Sequence, residues 1–238
     1  MNIVVVGATG GIGQALIDRI SEIPRVHSVF ACSRERPSSL PKKARWLHVD
    51  LVDEPSIRNA ANEARCDQGL DLVIVATGIL HDGNDLQPEK TWRTLDAAAF
   101  HRAFSINTVG PALVGKHFLP LLGTGRKTVF AALSARVGSI SDNRAGGWHS
   151  YRASKAALNM ILKNFAIELE HRNPTAICVG LHPGTVETRL SQPFRTNVPA
   201  EKLFSPDRSA APLIAVLEAA EKRHSGTLIA WDGQQISP

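Results

Sequence analysis

A chain of 238 residues, 43% hydrophobic and 21% charged, has the length of one large α/β domain or two small ones and can bury a substantial core. Its 27 lysines and arginines against 22 acids leave a formal charge of +5, but the cations are scattered, which argues against nucleic acid and for small anionic molecules as partners. Cys32, Cys66 and Cys178 are odd in number, far apart and without metal-ligand spacing; no run approaches the ~18 apolar residues of a membrane span, and Met1 leads into an apolar run without a basic leader. The expectation is a reduced, cytoplasmic protein with no membrane span and no metal.

In chain order, apolar runs at 3–6, 26–32, 46–49, 70–76, 128–133, 176–181 and 226–231 read as buried strands. Segments 12–20, 56–64, 95–122, 151–169 and 210–220 carry apolar residues three and four apart and read as helices. The alternation predicts an α/β fold: a single-domain, Rossmann-type, doubly wound parallel sheet of about seven strands with helices on both faces. The stretches rich in Gly, Ser, Asn and Pro, near 136–149 and 189–207, are the expected substrate loops.

The first strand runs into Gly7-Ala8-Thr9-Gly10-Gly11-Ile12-Gly13, where a helix begins. Glycines there let the turn tighten and the backbone approach a pyrophosphate, whose charge meets the helix N-terminus. Two spacings fit: Gly7, Gly11 and Gly13 as G-x-x-x-G-x-G, or Gly7, Gly10 and Gly13 as G-x-x-G-x-x-G. The second strand leads into Ser33 and Arg34, where an NAD enzyme usually carries an acid for the ribose 2′-hydroxyl. An arginine there pairs with a 2′-phosphate, with Ser33 adding a hydrogen bond and Arg36 able to share or take the role; the cofactor expected is NADP(H) rather than NAD(H). Asp50, followed by Leu51, is either an acceptor for the adenine amine or a turn residue.

Tyr151 is the only tyrosine, and Lys155 follows it by one helical turn. A cation ~4 Å away, at an effective dielectric of ~20, is worth about 4 kcal/mol, enough to pull a phenol down by up to ~3 pKa units. Alone, the pair reads as an exposed tyrosine beside a solvated lysine. Ser134 at the end of the fifth strand, Asn107 within Phe104-Ser105-Ile106-Asn107-Thr108-Val109-Gly110-Pro111, and Pro183-Gly184-Thr185-Val186-Glu187-Thr188 after the sixth strand give it company.

Together with the glycine turn and Asp232-Gly233, these motifs resemble the short-chain dehydrogenase/reductase family over essentially the whole chain. Gly138-Ser139-Ile140-Ser141-Asp142-Asn143, Gly146-Gly147, and the 17 residues separating Ser134 from Tyr151 resemble its compact C-factor and Sniffer-like carbonyl reductase branch. The resemblance implies hydride transfer from nicotinamide to a carbonyl carbon, with Tyr151 as general acid and Ser134 polarising the oxygen. It further implies that Lys155 lowers the tyrosine pKa and binds the nicotinamide ribose, that Asn107 secures a water, and that Pro183, Gly184, Val186 and Thr188 contact the nicotinamide amide. Ser139 and Ser141 are rival serines, set aside because they fall in the loop.

The family's N-N-A-G after the fourth strand is replaced here by Val75-Ala76-Thr77-Gly78, so both amides are lost and Thr77 is left to compensate. Val6 stands where many members have threonine before the glycine motif. The expected substrate is a small carbonyl or alcohol; Trp148, His149, Leu190, Phe194 and Phe204 in or beside the loops suggest that it is partly apolar, whereas His182 reads as structural. Family habit pairs the 95–122 and 151–169 helices across a homodimer or homotetramer. An alternative reading is an NADP(H)-binding signalling or sensor protein with residual catalysis, favoured by the lost asparagines and opposed by the intact Asn107, Ser134, Tyr151 and Lys155. An extended-type epimerase or dehydratase is disfavoured because the chain ends soon after its seventh strand.

Overall fold

The structure, a computed structural model, describes residues 1–83, 86–195 and 199–238. Residues 196–198, within the second expected loop, lie outside the described residues. The first half contains β1 (Asn2–Val6), α1 (Gly11–Glu22), β2 (Ser28–Ser33), β3 (Ala44–His48), α2 (Glu54–Glu63) and β4 (Leu72–Val75). It continues with α3 (Ala97–Phe104), α4 (Gly110–Phe118), β5 (Thr128–Leu133), α5 (His149–Arg172) and β6 (Ala176–His182). The chain then forms β7 (Thr185–Val186), β8 (Leu203–Phe204), α6 (Pro206–Ala219), β9 (Leu228–Ala230) and β10 (Gln235–Ile236).

Eight strands form one sheet in the order β10-β9-β6-β5-β4-β1-β2-β3, and β7 pairs with β8 in a separate ribbon. Every pairing in the large sheet is parallel except β10 with β9. The expected seven strands are thus the parallel ones; β10, two residues long, has no apolar run to announce it. Strand residues alternate between two cores, as a sheet covered on both faces requires. Val4, Val6, Phe130, Ala132 and Cys178 pack against α2, α4 and α5, while Ile3, Val5, Val129, Ala131 and Val179 pack against α1 and α6. The chain order reverses between β1 and β4, which opens a crevice beyond the carboxyl ends of those strands.

The periodicity predicting one helix over 95–122 hides an interruption. Between α3 and α4 lies a π turn, Ser105–Val109. Pro111 lacks the N–H that would close a helical bond onto Asn107, and Gly110 lies against Leu51, where an added Cβ would come within 2.7 Å of that side chain. The widened turn carries Asn107, which is fully buried.

α5 starts without a side-chain cap of its own, from Trp148 at φ 51. Glu89 supplies the missing partners from across the fold: its carbonyl accepts from Trp148 N at 2.5 Å and its Oε2 from Ser150 N at 3.2 Å. No helix among the described residues is long and apolar enough to cross a membrane.

Candidate active site

Gly7 ends β1 at φ +102, a conformation that favours glycine, and an added Cβ would lie 2.9 Å from Ala76 O and 3.0 Å from Thr77 Cγ2. Gly13 presses the first turn of α1 onto that bend, since a Cβ there would meet Gly7 O at 2.1 Å. Gly10 caps α1 without a side-chain bond, and Thr9, Gly10 and Gly11 are exposed, so the first N–H groups of a twelve-residue helix face the crevice unclaimed by any side chain. Ile12, partly buried, packs against the α1–α6 core. Gly11 also brings in the far end of the chain: a Cβ there would meet Thr188 Cγ2 at 3.1 Å and Pro206 Cγ at 3.3 Å.

Pro183 and Gly184 leave the end of β6, with Gly184 at φ +79 tucked against Phe204 and Trp231. Val186 is buried and pairs with Phe204 in the ribbon, and Thr188 O accepts from Gln192 N at 3.1 Å. The glycine turn, Ala76 to Gly78 and the segment ending in Thr188 therefore border one crevice.

At its β2 edge, Arg34 and Arg36 are exposed, but Ser33 is buried and its hydroxyl is already engaged. Ser33 Oγ donates to Glu35 O at 2.6 Å and accepts from Trp46 Nε1 at 3.3 Å. Its one proton fixes the local bend. Asp50 Oδ1 accepts from Val52 N at 3.1 Å, closing the turn after β3, and Leu51 is buried beneath Gly110. Thr77 Oγ1 is buried with no hydrogen-bond partner among the described residues. In a protein interior such a group is costly unless something satisfies it.

At the other side of the crevice stand the residues expected to carry chemistry. A Cβ on Gly78 would lie 3.4 Å from Lys155 Nζ, 3.5 Å from Asn107 Oδ1 and 3.7 Å from Leu190 Cδ1, so this exposed glycine opens directly onto both polar groups. Asn107 Oδ1 accepts from Ile79 N at 2.8 Å, while its Nδ2 donates to Ile79 O at 2.8 Å and to Ser154 Oγ at 3.0 Å. Both amide protons are engaged within the protein, so only the second lone pair of Oδ1 remains for the water role that the resemblance implies. Ser134 Oγ donates to Asn159 Oδ1 at 2.7 Å. The rival serines are engaged elsewhere: Ser139 and Ser141 both bond the carbonyl of Pro238.

Lys155 is buried and donates to Leu133 O at 2.8 Å, with its ammonium 6.0 Å from the centre of the Tyr151 ring. Burial strips both groups of water, and the charged form of each suffers. Lys155 is pulled down to about 7, and the Tyr151 phenol is pushed well above its ordinary value. This runs against the expectation that the lysine depresses the tyrosine: in the chain by itself burial alone moves the phenol, and it moves it upward. The resting phenol is protonated.

Above Tyr151 the loops form an aromatic wall. The Trp148 ring stands edge-on to Tyr151 at 6.3 Å and tilted to Phe194 at 5.1 Å, and His81 meets Phe194 at 5.8 Å. His149 is partly buried in the first turn of α5. Phe204 does not join the wall; it is buried edge-on against Trp231 at 4.7 Å. His182 is pushed down to about 4, mainly by burial with Arg136 adding to it, and its Nδ1 is buried without a partner among the described residues.

The family model for short chain dehydrogenases matches residues 1–199. The chain belongs to the short-chain dehydrogenase family. The C-signal of Myxococcus xanthus is 35% identical over 142 residues, covering 60% of this chain and 80% of that protein. Among solved structures, the carbonyl reductase Sniffer of D. melanogaster superposes with a TM-score of 0.86 at 22% identity, covering all of both chains. An NADPH-bound carbonyl reductase from chicken fatty liver superposes at 0.81 with 24% identity, over 100% of this chain and 98% of that one. The shared fold is thus that of compact members.

Two residues of this short-chain dehydrogenase's site escape sequence reasoning. Asn159 was legible only as a third position in the four-residue spacing Tyr151, Lys155, Asn159. Glu89 has no local signal at all, since its partners lie about sixty residues away in the chain.

Proposed function

We propose that this oxidoreductase is an NADPH-dependent carbonyl reductase that converts an aldehyde, ketone or quinone to an alcohol, or runs the reverse reaction. The observation that carries the reading is the convergence of Tyr151, Lys155, Asn107 and the open Gly78 at one end of the crevice. The crevice fits a dinucleotide: among the described residues Thr77 Oγ1 lacks a partner and no side chain caps the α1 N-terminus, and the missing Cβ of Gly78 leaves room beside Lys155. Gly7 to Gly13 would hold the pyrophosphate, Arg34 with Arg36 the 2′-phosphate, Asp50 and Leu51 the adenine side, and Ala76, Thr77, Gly78, Pro183, Gly184, Val186 and Thr188 the nicotinamide end. When bound, a reduced nicotinamide supplies hydride.

The residues of the chain handle the proton. The Tyr151 phenol, kept protonated by burial, donates to the carbonyl oxygen as negative charge builds there. A protonated Lys155 then stabilises the phenolate and binds ribose hydroxyls, while Ser134 holds the substrate oxygen and Asn107 holds the backbone at Ile79, beyond the end of β4. The Trp148 and Phe194 wall favours a substrate with an apolar or planar body. NADP rather than NAD rests on Arg34 and the absence of an acid beside it. The homodimer or homotetramer remains part of the proposal, supported by Val109, Met160 and Ile167 staying exposed on the π turn and α5.

The test is NADPH consumption with benzil, 4-nitrobenzaldehyde and menadione, alongside thermal shifts with NADPH and NADH. The reading expects turnover of at least one carbonyl and the larger shift with NADPH. Stabilisation by NADPH with no turnover of a broad carbonyl panel favours the sensor reading, to which the replacement of N-N-A-G by Val75-Ala76-Thr77-Gly78 lends some support.

A further inference from the structure

Asn159 stands one turn beyond Lys155 and two turns beyond Tyr151 on α5, so the three project along one side of the helix. That side grips the end of β5 twice. Lys155 Nζ donates to Leu133 O at 2.8 Å, and the next residue, Ser134, donates its hydroxyl proton to Asn159 Oδ1 at 2.7 Å. Consecutive residues of the strand end are thus held by consecutive turns of the helix that carries Tyr151. Gly180 on the neighbouring strand leaves space for this contact: a Cβ there would lie 3.6 Å from Asn159 Oδ1 while already meeting Leu228 Cδ1 at 3.1 Å.

A serine hydroxyl has one proton, and its direction decides what the residue offers the substrate. With the proton on Asn159 Oδ1, Ser134 has only lone pairs left to offer. Exchanging the carboxamide oxygen and nitrogen by rotation makes Nδ2 the donor, and the serine proton is then free to point at the reacting oxygen.

We propose that Asn159 is the positioning residue of Ser134: it fixes where the hydroxyl stands, and which end of its carboxamide it presents decides whether the serine accepts or donates toward the substrate oxygen. The proposal rests on the reading that Ser134 holds that oxygen.

The experiment is a double-mutant cycle on the full chain, using NADPH and whichever of benzil, 4-nitrobenzaldehyde or menadione turns over fastest, with kcat, KM and the Kd for NADPH measured throughout. S134A is expected to lower kcat about 100-fold, and N159A about 10- to 30-fold, with NADPH affinity unchanged. In the S134A background, N159A should cost nothing further, within about twofold, because it acts only through the serine. N159L, which keeps the volume, repeats the cycle should the alanine disturb packing. If the Asn159 effect multiplies onto S134A instead, the residue is merely structural and the proposal is overturned while the role of Ser134 stands. If S134A turns over at the wild-type rate, the role of Ser134 itself falls and Asn159 has nothing to position.

Discussion

A buried lysine pulled down to about 7 makes a stability prediction with a definite sign. In the unfolded chain Lys155 titrates near ~10.4, so between pH 7 and 10 the unfolded state binds a proton that the folded state does not. Unfolding free energy therefore rises with pH in that window, by up to about 1.4 kcal/mol per pH unit, and the contribution levels off above the unfolded pKa. From pH 7 to 9 the gain amounts to about 2 kcal/mol after allowing for partial titration at the lower end. Cys32 and Cys178 are buried and raised, and His182 is lowered, so these groups add their own slopes. The comparison with Lys155→Met cancels them. Urea denaturation at pH 7, 8 and 9 should show the wild-type midpoint climbing relative to that of Lys155→Met. Parallel curves would mean that Lys155 is solvated and charged in the folded protein, and the account of its burial would be wrong. The same titration predicts that kcat/KM for carbonyl reduction falls as pH rises through about 7, because the proton on Lys155 that steadies the phenolate is lost.

Thr77→Val removes a buried hydroxyl that has no partner among the described residues, so the free protein should be as stable as wild type or about 1 kcal/mol more stable, while NADPH binds about 5- to 10-fold more weakly; weaker folding with unchanged NADPH affinity would show that the hydroxyl serves the fold instead. Gly13→Ala places a methyl against Gly7 O, where a Cβ would sit at 2.1 Å, and should lower stability by about 2 kcal/mol and weaken NADPH together, read by thermal melts with and without cofactor. Arg34→Ala should raise the Kd for NADPH about 10- to 100-fold and leave NADH alone, measured by fluorescence titration. Should Arg36→Ala produce that loss and Arg34→Ala not, the phosphate partner is Arg36.

The strands were legible because a sheet covered on both faces writes its strands as unbroken apolar runs, as in Ile3 to Val6 and Thr128 to Leu133. β7, β8 and β10 were not, since two residues carry no period. The helix expected over 95–122 missed its π turn because Ile106 and Val109 keep a helical spacing while Pro111 and Gly110 change the hydrogen bonding beneath it. Tyr151, Lys155 and Ser134 were named through the family resemblance, since the spacing of the pair alone reads as an exposed tyrosine beside a solvated lysine. Their protonation was not, because it depends on desolvation, which only the packed structure supplies. Asn159 and Glu89 act on residues 25 and 61 positions away, and such contacts exist only after folding.

The claim at the centre is that the lone tyrosine is the proton donor, and Tyr151→Phe tests it by removing one oxygen while keeping the ring against Trp148. Single-turnover reduction of the best carbonyl by bound NADPH should slow about 100- to 10,000-fold, with the Kd for NADPH within twofold of wild type. Reduction at the wild-type rate by the phenylalanine variant would contradict the account.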